Sequence, residues 1–263
     1  MDLAWLLRDT KYALILIASD LIQNIGMIAG MFLIASQFGG IGGMSTNEVL
    51  FMMAYSSMTT GIILMSCAGN NIHVSRLIGR GQLEHLFIQP LPLKWQLLTS
   101  GFSPFTGSGS LITGIVLMVI AVGRLHLAVT LWWVLALLAY LLTTLVIVVA
   151  RAYLFSSMTF YAPVAAEEIT STVVDGTWFM STFPLSGMPK YIQFPLLTIM
   201  PDGLMAWFPA MCLLGKPPLH LTVYYPMFFA LILSLIAGYL FKKGMNYYVT
   251  KGSNRYVPWG FRR

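Results

Sequence analysis

The sequence predicts an all-α fold: a polytopic membrane protein with six transmembrane helices, an N-terminal interfacial helix, a short cytoplasmic helix and extracellular re-entrant helices before the last span. Three observations predict it. Of the 263 residues, 57% are hydrophobic and only 9% charged, whereas a soluble domain of this length carries about a quarter charged residues on its wet surface. Apolar runs of about 20 residues, the length that crosses the hydrocarbon as a helix, recur along the chain. The Lys and Arg residues also fall mostly in alternate connections, as membrane topology requires.

The six runs are about 12–37, 48–72, 97–122, 127–150, 152–178 and 221–241. Each reads as a helix because lipid-exposed backbone has no other way to satisfy its N–H and C=O groups. Residues 1–11 hold Asp2, Arg8, Asp9 and Lys11 around a short apolar stretch and read as an interfacial helix feeding a signal-anchor span, without a cleavable signal peptide. The Gly-rich segment Gly39 to Gly43 separates the first two runs, and Arg124, Leu125 and His126 form a tight hairpin between the third and fourth. The fifth run is the most polar. Pro104 predicts a kink in the third run, and Gly101, Gly107, Gly109 and Gly114 permit close helix packing there.

With the N-terminus placed inside, inner segments hold 12 basic residues and outer segments 3, namely Arg124, Lys190 and Lys216. The rule therefore predicts a multi-pass membrane protein with both termini cytoplasmic. It also accounts for the net charge of +6 without nucleic acid, for which no basic cluster interleaved with aromatics exists. Two connections are long. Residues 73–96 form a cytoplasmic loop, and residues 179–220 form an external segment rich in proline and aromatics. That external segment is too apolar to be a solvated loop, so it reads as two short helices dipping into the outer leaflet, or as a surface cap. The whole chain, 1–263, reads as one membrane domain without internal repeats.

The cytoplasmic loop carries a pattern. Gly81 and Pro90 punctuate a short helix at about 82–89. Leu83, Leu86 and Phe87 have i, i+3, i+4 spacing and share a face, and Glu84 lies in the first turn, where a negative charge suits the helix dipole. Such a helix is marginal alone. Its apolar face is suited to a groove on a partner or to lipid headgroups. The run Gly81-x-Leu83-Glu84-x-Leu86-Phe87-x-x-Pro90-Leu91-Pro92 resembles the signature of ABC-2 type permeases, the membrane subunits of ATP-binding-cassette transporters. Six spans, the proline-rich segment before the last one, and a basic tail with Tyr247, Tyr248 and Tyr256 extend the resemblance over nearly the whole chain. The resemblance implies that residues near 82–89 are a coupling helix seated in a cleft of a cassette ATPase subunit, with Gly81, Leu83, Glu84, Leu86, Phe87 and Pro90 as the coupling residues. It also implies a second permease subunit, identical or related, and transport in the export direction. Family members often carry a basic residue just before the Pro-Leu pair, where this chain has Gln89.

No G-x-x-x-x-G-K-[ST] occurs, so ATP and Mg belong to a partner ATPase and this chain is a transport subunit rather than an enzyme. No metal-ligand spacing is present: Cys67 and Cys212 stand alone and the four histidines are dispersed. Ionisable groups in a span are functional candidates by default. Asp20, Gln23 and Asn24 share a face of the first span, and Glu167, Glu168 and Asp175 roughly share one of the fifth. These faces line either a translocation path or a subunit seam, or else Asp20 and Asp175 lie at wet interfaces while Glu168 is deeper. A secondary transporter or channel without an ATPase is the alternative. It would be favoured by inverted repeats with broken helices, which the chain lacks. The substrate is not legible.

Overall fold

The computed structural model describes residues 10–67, 74–79, 81–99, 102–103, 105–180, 182–218 and 223–252. The elements are helical: α1 (Thr10–Gln37), α2 (Thr46–Cys67), α3 (Val74–Gly79), α4 (Leu83–Phe87), α5 (Leu93–Thr99), α6 (Ser108–Arg124), α7 (Leu131–Ser156), α8 (Pro163–Met180), α9 (Lys190–Thr198), α10 (Trp207–Leu213) and α11 (Tyr225–Lys251), with 3-10 turns at Ser157–Phe160, Leu185–Gly187 and Pro201–Leu204. Among the described residues, β pairing is confined to an isolated Ile41–Met44 bridge in the Gly-rich turn.

Among the described residues four helices are long and apolar enough to cross a membrane: Thr10–Gln37, Thr46–Cys67, Leu131–Phe160 and Tyr225–Lys251. They coincide with the expected first, second, fourth and sixth spans. The expected third span is broken. Its N-terminal part belongs to α5, and α6 begins only at Ser108, after Gly107 in a left-handed conformation (φ 82°). The resulting 17-residue helix reaches about 25 Å, short of the ~30 Å hydrocarbon core. Pro104 and Gly101 lie outside the described residues, as do residues 1–9 of the expected interfacial helix.

The boundary between the fourth and fifth runs moves. The sequence places it at Arg151, read as an interfacial charge. Instead α7 continues to Ser156 and its 3-10 extension to Phe160. The break falls at Tyr161 and Ala162, where Pro163 disfavours helix for the residue before it and suits the first helical position itself. Arg151 is buried at 2% exposure inside the helix, and its Nη2 donates to the Val173 carbonyl at 3.2 Å. A guanidinium can be kept among apolar neighbours only with such acceptors. The α8 helix is long enough, at 18 residues, but Glu167, Glu168 and Asp175 make it too charged for an ordinary span.

The chain forms two compact units. The first comprises Met1–Met65, Ser103–Leu145 and Trp178–Met227; the second comprises Ser66–Phe102, Val146–Thr177 and Phe228–Arg263. In the first unit, small residues bring helices together. A Cβ on Gly61 would stand 2.5 Å from the Leu111 backbone N, and one on Gly114 would stand 2.5 Å from the Met58 backbone N, so α2 and α6 touch backbone to backbone.

The proline-rich segment before the last long helix is ordered by side chains that donate to carbonyls in it and beside it. α9 and the helical stretch Pro201–Leu213 form a pair bent by 73°. Tyr225 Oη donates to the Leu197 carbonyl at 2.9 Å, Trp133 Nε1 to Leu213 at 3.1 Å, and Tyr140 Oη to Val223 at 2.8 Å. Gln193 Nε2 donates to both Leu185 and Met188, at 2.9 and 2.7 Å. Trp207 Nε1 donates to Ser186 Oγ at 2.7 Å. Irregular backbone in an apolar setting persists only when its polar groups are met in this way. The Gly-rich turn packs directly on this segment, since a Cβ on Gly187 would lie 2.6 Å from Gly42 Cα.

The α2 N-terminus closes with a capping box. Ser45 N donates to Glu48 Oε2 at 2.8 Å, and Glu48 N donates to Ser45 Oγ at 3.4 Å. Lys216 Nζ, just after α10, donates to the other oxygen, Glu48 Oε1, at 2.5 Å. One carboxylate thus caps α2 and pins the end of the bent pair. Replacing Gly114 by Ala should lower stability by about 1–3 kcal/mol through overpacking, whereas Gly123→Ala, whose Cβ meets nothing within 4 Å, should be neutral or slightly stabilising. Thermal unfolding of the two variants in one detergent checks this.

Candidate translocation cleft and coupling helix

The first site is built on the first unit. Asp20, Gln23, Asn24 and Met27 follow i, i+3, i+4, i+7 along α1, and Met53, Ser56, Ser57 and Thr60 repeat the same spacing along α2. The two stripes, with Ser110 of α6 and Thr182, line a cleft of about 290 Å³. A second lobe of about 610 Å³ adjoins it through Met27, Met53 and Thr182 and is walled by Met31, Ile34, Phe38, Ile41 and Phe183. Polar groups therefore gather at one end and apolar groups at the other.

Asp20 holds the polar end together. Its Oδ2 accepts the Ser110 backbone N–H at 2.8 Å and its Oδ1 accepts the Ser110 hydroxyl at 2.6 Å. Ser110 is the third residue of α6, whose N-cap Gly107 has no side chain to cap it. A carboxylate from another helix meets the orphan donors there and complements the positive helix end. Gly109 makes the approach possible, since a Cβ there would lie 2.9 Å from Asp20 Oδ2 and 3.0 Å from the Leu21 backbone N. Ser57 Oγ lies 3.0 Å from Asn24 Oδ1 and 2.7 Å from the Ser110 carbonyl. A hydroxyl has one proton, so it serves one of these acceptors at a time. The α2 hydroxyls were not singled out in the sequence. The doublets Ser56-Ser57 and Thr59-Thr60 inside an apolar run were the available signal.

The second site is built on the second unit. Gly81, at φ 68°, ends α3: Gln82 N donates to Leu77 O at 2.9 Å and Gly81 N to Ile78 O at 3.1 Å. This pair of bonds is a Schellman motif with glycine in the left-handed position after the helix. It turns the chain into α4, which is only five residues long and is followed by Pro90. Leu83 is fully buried in a cluster with Val74, Leu77, Leu97, Phe160 and Tyr248, and Leu86 packs against its edge. Glu84 Oε1 accepts the Tyr248 hydroxyl at 3.3 Å. Phe160 stacks edge-on with Phe241 and Tyr248, at centroid distances of 5.3 and 5.8 Å, and Gly244 lies close against the Phe160 ring. The expected apolar face is thus divided. Leu83 and Leu86 face the chain's own core, while Phe87, Ile88, Leu91 and Trp95 are exposed at 46, 83, 62 and 61%.

The sequence model of the ABC-2 family transporter proteins matches residues 21–252. The chain belongs to that family. No curated protein and no solved structure matches it.

An ABC-2 family transporter protein is a multi-pass membrane transport component and not itself a catalyst. Among the described residues no group of three or more metal-ligating side chains occurs. Asp20, Gln23 and Asn24 meet in one cleft of the first unit, while Glu167 and Glu168 belong to the second unit. Glu167 lies 3.7 Å from Arg76 Nε, which follows Val74 and Ser75 in α3. Glu168 is exposed, in the second turn of α8. The side chain of Asp175 lies outside the described residues.

Removing the α6 cap by Asp20→Ala should cost about 1–2 kcal/mol, whereas Asp20→Asn, which keeps an oxygen for Ser110 N–H, should cost much less. Unfolding midpoints of the two variants in the same micelle separate capping from charge.

Proposed function

We propose that this chain is the transmembrane permease subunit of an ABC exporter, working as a pair of permease subunits with cassette ATPase subunits that bind ATP and Mg. The observation that carries the ATPase partnership is the divided α4 segment. One face is rooted in the chain's own core through Leu83, while Phe87 and, in the residues after it, Ile88, Leu91 and Trp95 are exposed apolar side chains. A patch of that kind marks a partner or lipid surface. In this reading Phe87 and Pro90 belong to the docking side, while Gly81, Leu83, Glu84 and Leu86 set the rigidity and direction of the lever.

In this reading the ATPases close on ATP, α4 moves, and the motion enters the long helices through two contacts. Leu83 packs with Phe160 at the end of α7's extension, and both Leu83 and Glu84 are tied to Tyr248 of α11. α7 and α11 each supply residues to both compact units, so they give the motion a continuous covalent route. A conformational change driven in this way requires a ligand with different affinity for the two states, so transported substrate should alter ATP turnover. The termini are cytoplasmic in this reading, the membrane is the plasma (inner) membrane, and α6 and α8 complete a set of six spans, with the bent pair re-entering from the outside.

Affinity purification of the chain from its native membrane should recover a cassette ATPase. Ile88→Asp and Trp95→Asp should each weaken that association about ten-fold or more without lowering the unfolding midpoint, while Leu83→Asp should unfold the second unit. Recovery of the chain without any ATPase, or undiminished association in both surface variants, would sink the reading and favour a lipid-facing patch.

A further inference from the structure

We infer that the cleft between α1 and α2 binds the substrate and that the substrate is an amphiphile with a cationic, hydrogen-bond-donating head group, such as a hydrophobic amine. The inference rests on the transport reading above and names its substrate class.

The charge pattern of the lining selects the head group. Among the described residues, Asp20 is the only ionisable side chain lining the polar lobe, and no Lys, Arg or His lines either lobe. The chain as a whole is basic, at +6, so the exclusion of cations from this cleft runs against its composition. An anionic head group would meet a carboxylate and no counter-charge. Asp20 remains competent for a further donor, because a carboxylate has about four lone-pair sites and Ser110 occupies two. The α6 N-terminus offsets roughly half a charge, which leaves the lobe net negative.

Unused hydrogen-bonding capacity points the same way. Gln23, Ser56 and Thr60 line the polar lobe, and their side chains make no hydrogen bond among the described residues. Ser56 is only 5% exposed as a residue, and it faces the cleft, where its hydroxyl is available to a bound head group. A head group with several N–H or O–H donors satisfies both the carboxylate and these hydroxyls. The adjoining lobe, of about 610 Å³ and walled by Met31, Ile34, Phe38 and Phe183, supplies the apolar part. Its size is within the ordinary range for small-molecule sites, and its methionines adapt to irregular tails. Met27 and Met53 line both lobes, so head and tail occupy one continuous path.

The test uses the full chain in nanodiscs of zwitterionic phosphatidylcholine, so that lipid charge attracts neither probe. Fluorescence titration compares a dansyl-labelled undecylamine with the matching dansyl-labelled undecanoic acid, with empty nanodiscs as the partition baseline. The amine should bind at least ten-fold tighter than the acid. Asp20→Asn should abolish that preference, and Met27→Trp, at the junction of the lobes, should weaken both probes. Thr60→Val, away from the α6 cap, gives an independent reading of the polar lobe: a several-fold loss for the amine and none for the acid. Equal or tighter binding of the acid, binding no stronger than the empty-disc baseline, or an amine preference that survives both Asp20→Asn and Thr60→Val would overturn the inference. Amine binding is read without an ATPase and ATPase capture without the amine, so each reading can fail alone.

Discussion

The first amides of a helix have no partner within that helix, and a chain as apolar as this one has little water to lend them. The Asp20 carboxylate resolves this for α6, and much of the first unit's arrangement follows from that contact. Once α1 must deliver an acid to the third residue of α6, Gly109 is needed so that the two backbones can approach. The α1 face carrying Gln23 and Asn24 is then turned toward the hydroxyl stripe of α2. Gly61 and Gly114 bring α2 against α6 from the other side. The cleft is the space left between stripes brought together in this way.

The same constraint shapes the proline-rich segment. Proline removes backbone donors and breaks helices, so the bent pair leaves carbonyls unmet within its own helices. An indole and a phenol, from Trp133 and Tyr225, meet the Leu213 and Leu197 carbonyls of the pair itself, and Gln193 and Tyr140 meet the carbonyls of Leu185, Met188 and Val223 in the turns beside it. Trp and Tyr suit this task because each combines a large apolar body with one polar atom at its edge. The Glu48–Lys216 pair adds a charge-assisted tie on the same segment, and Glu48 is already held in place by its capping bonds.

Long apolar helices were legible from composition and run length, as was the need for something structured in residues 179–220. Polar positions inside apolar segments were misread in both directions. Arg151 looked like a loop boundary because a lone Arg in hydrocarbon is expensive. What makes it tolerable is a carbonyl on α8, a tertiary fact invisible in local sequence. Gly107, by contrast, looked like a packing residue within a span, whereas its left-handed backbone sits before the start of a shorter helix. The Asp20, Gln23 and Asn24 stripe was legible because helical periodicity alone brings them to one face. That Glu167 and Glu168 belong to the other compact unit was not, because periodicity says nothing about which helix a face meets. The α4 face was half legible: spacing grouped Leu83, Leu86 and Phe87, but not which of them the chain keeps for itself.

The displaced boundary at Arg151 also bears on the charge asymmetry from which the proposed topology is argued. A buried guanidinium bonded to a helix carbonyl is not a loop charge and drops out of the count. Without it the inner segments still hold 11 basic residues against 3 outside, so the sign of the bias does not depend on the misplaced residue. Its distribution becomes more informative. Arg76 lies on α3 before the Schellman turn into α4, and Lys242, Lys243 and Lys251 lie on α11 around Tyr248, which touches Glu84. Four of the remaining 11 charges thus sit on the elements that root the short helix. Basic residues near headgroups hold such elements at the membrane surface. In the proposed coupling role this anchoring matters: a fixed root beside an exposed apolar tip would let force on the tip turn the long helices instead of lifting the loop from the membrane.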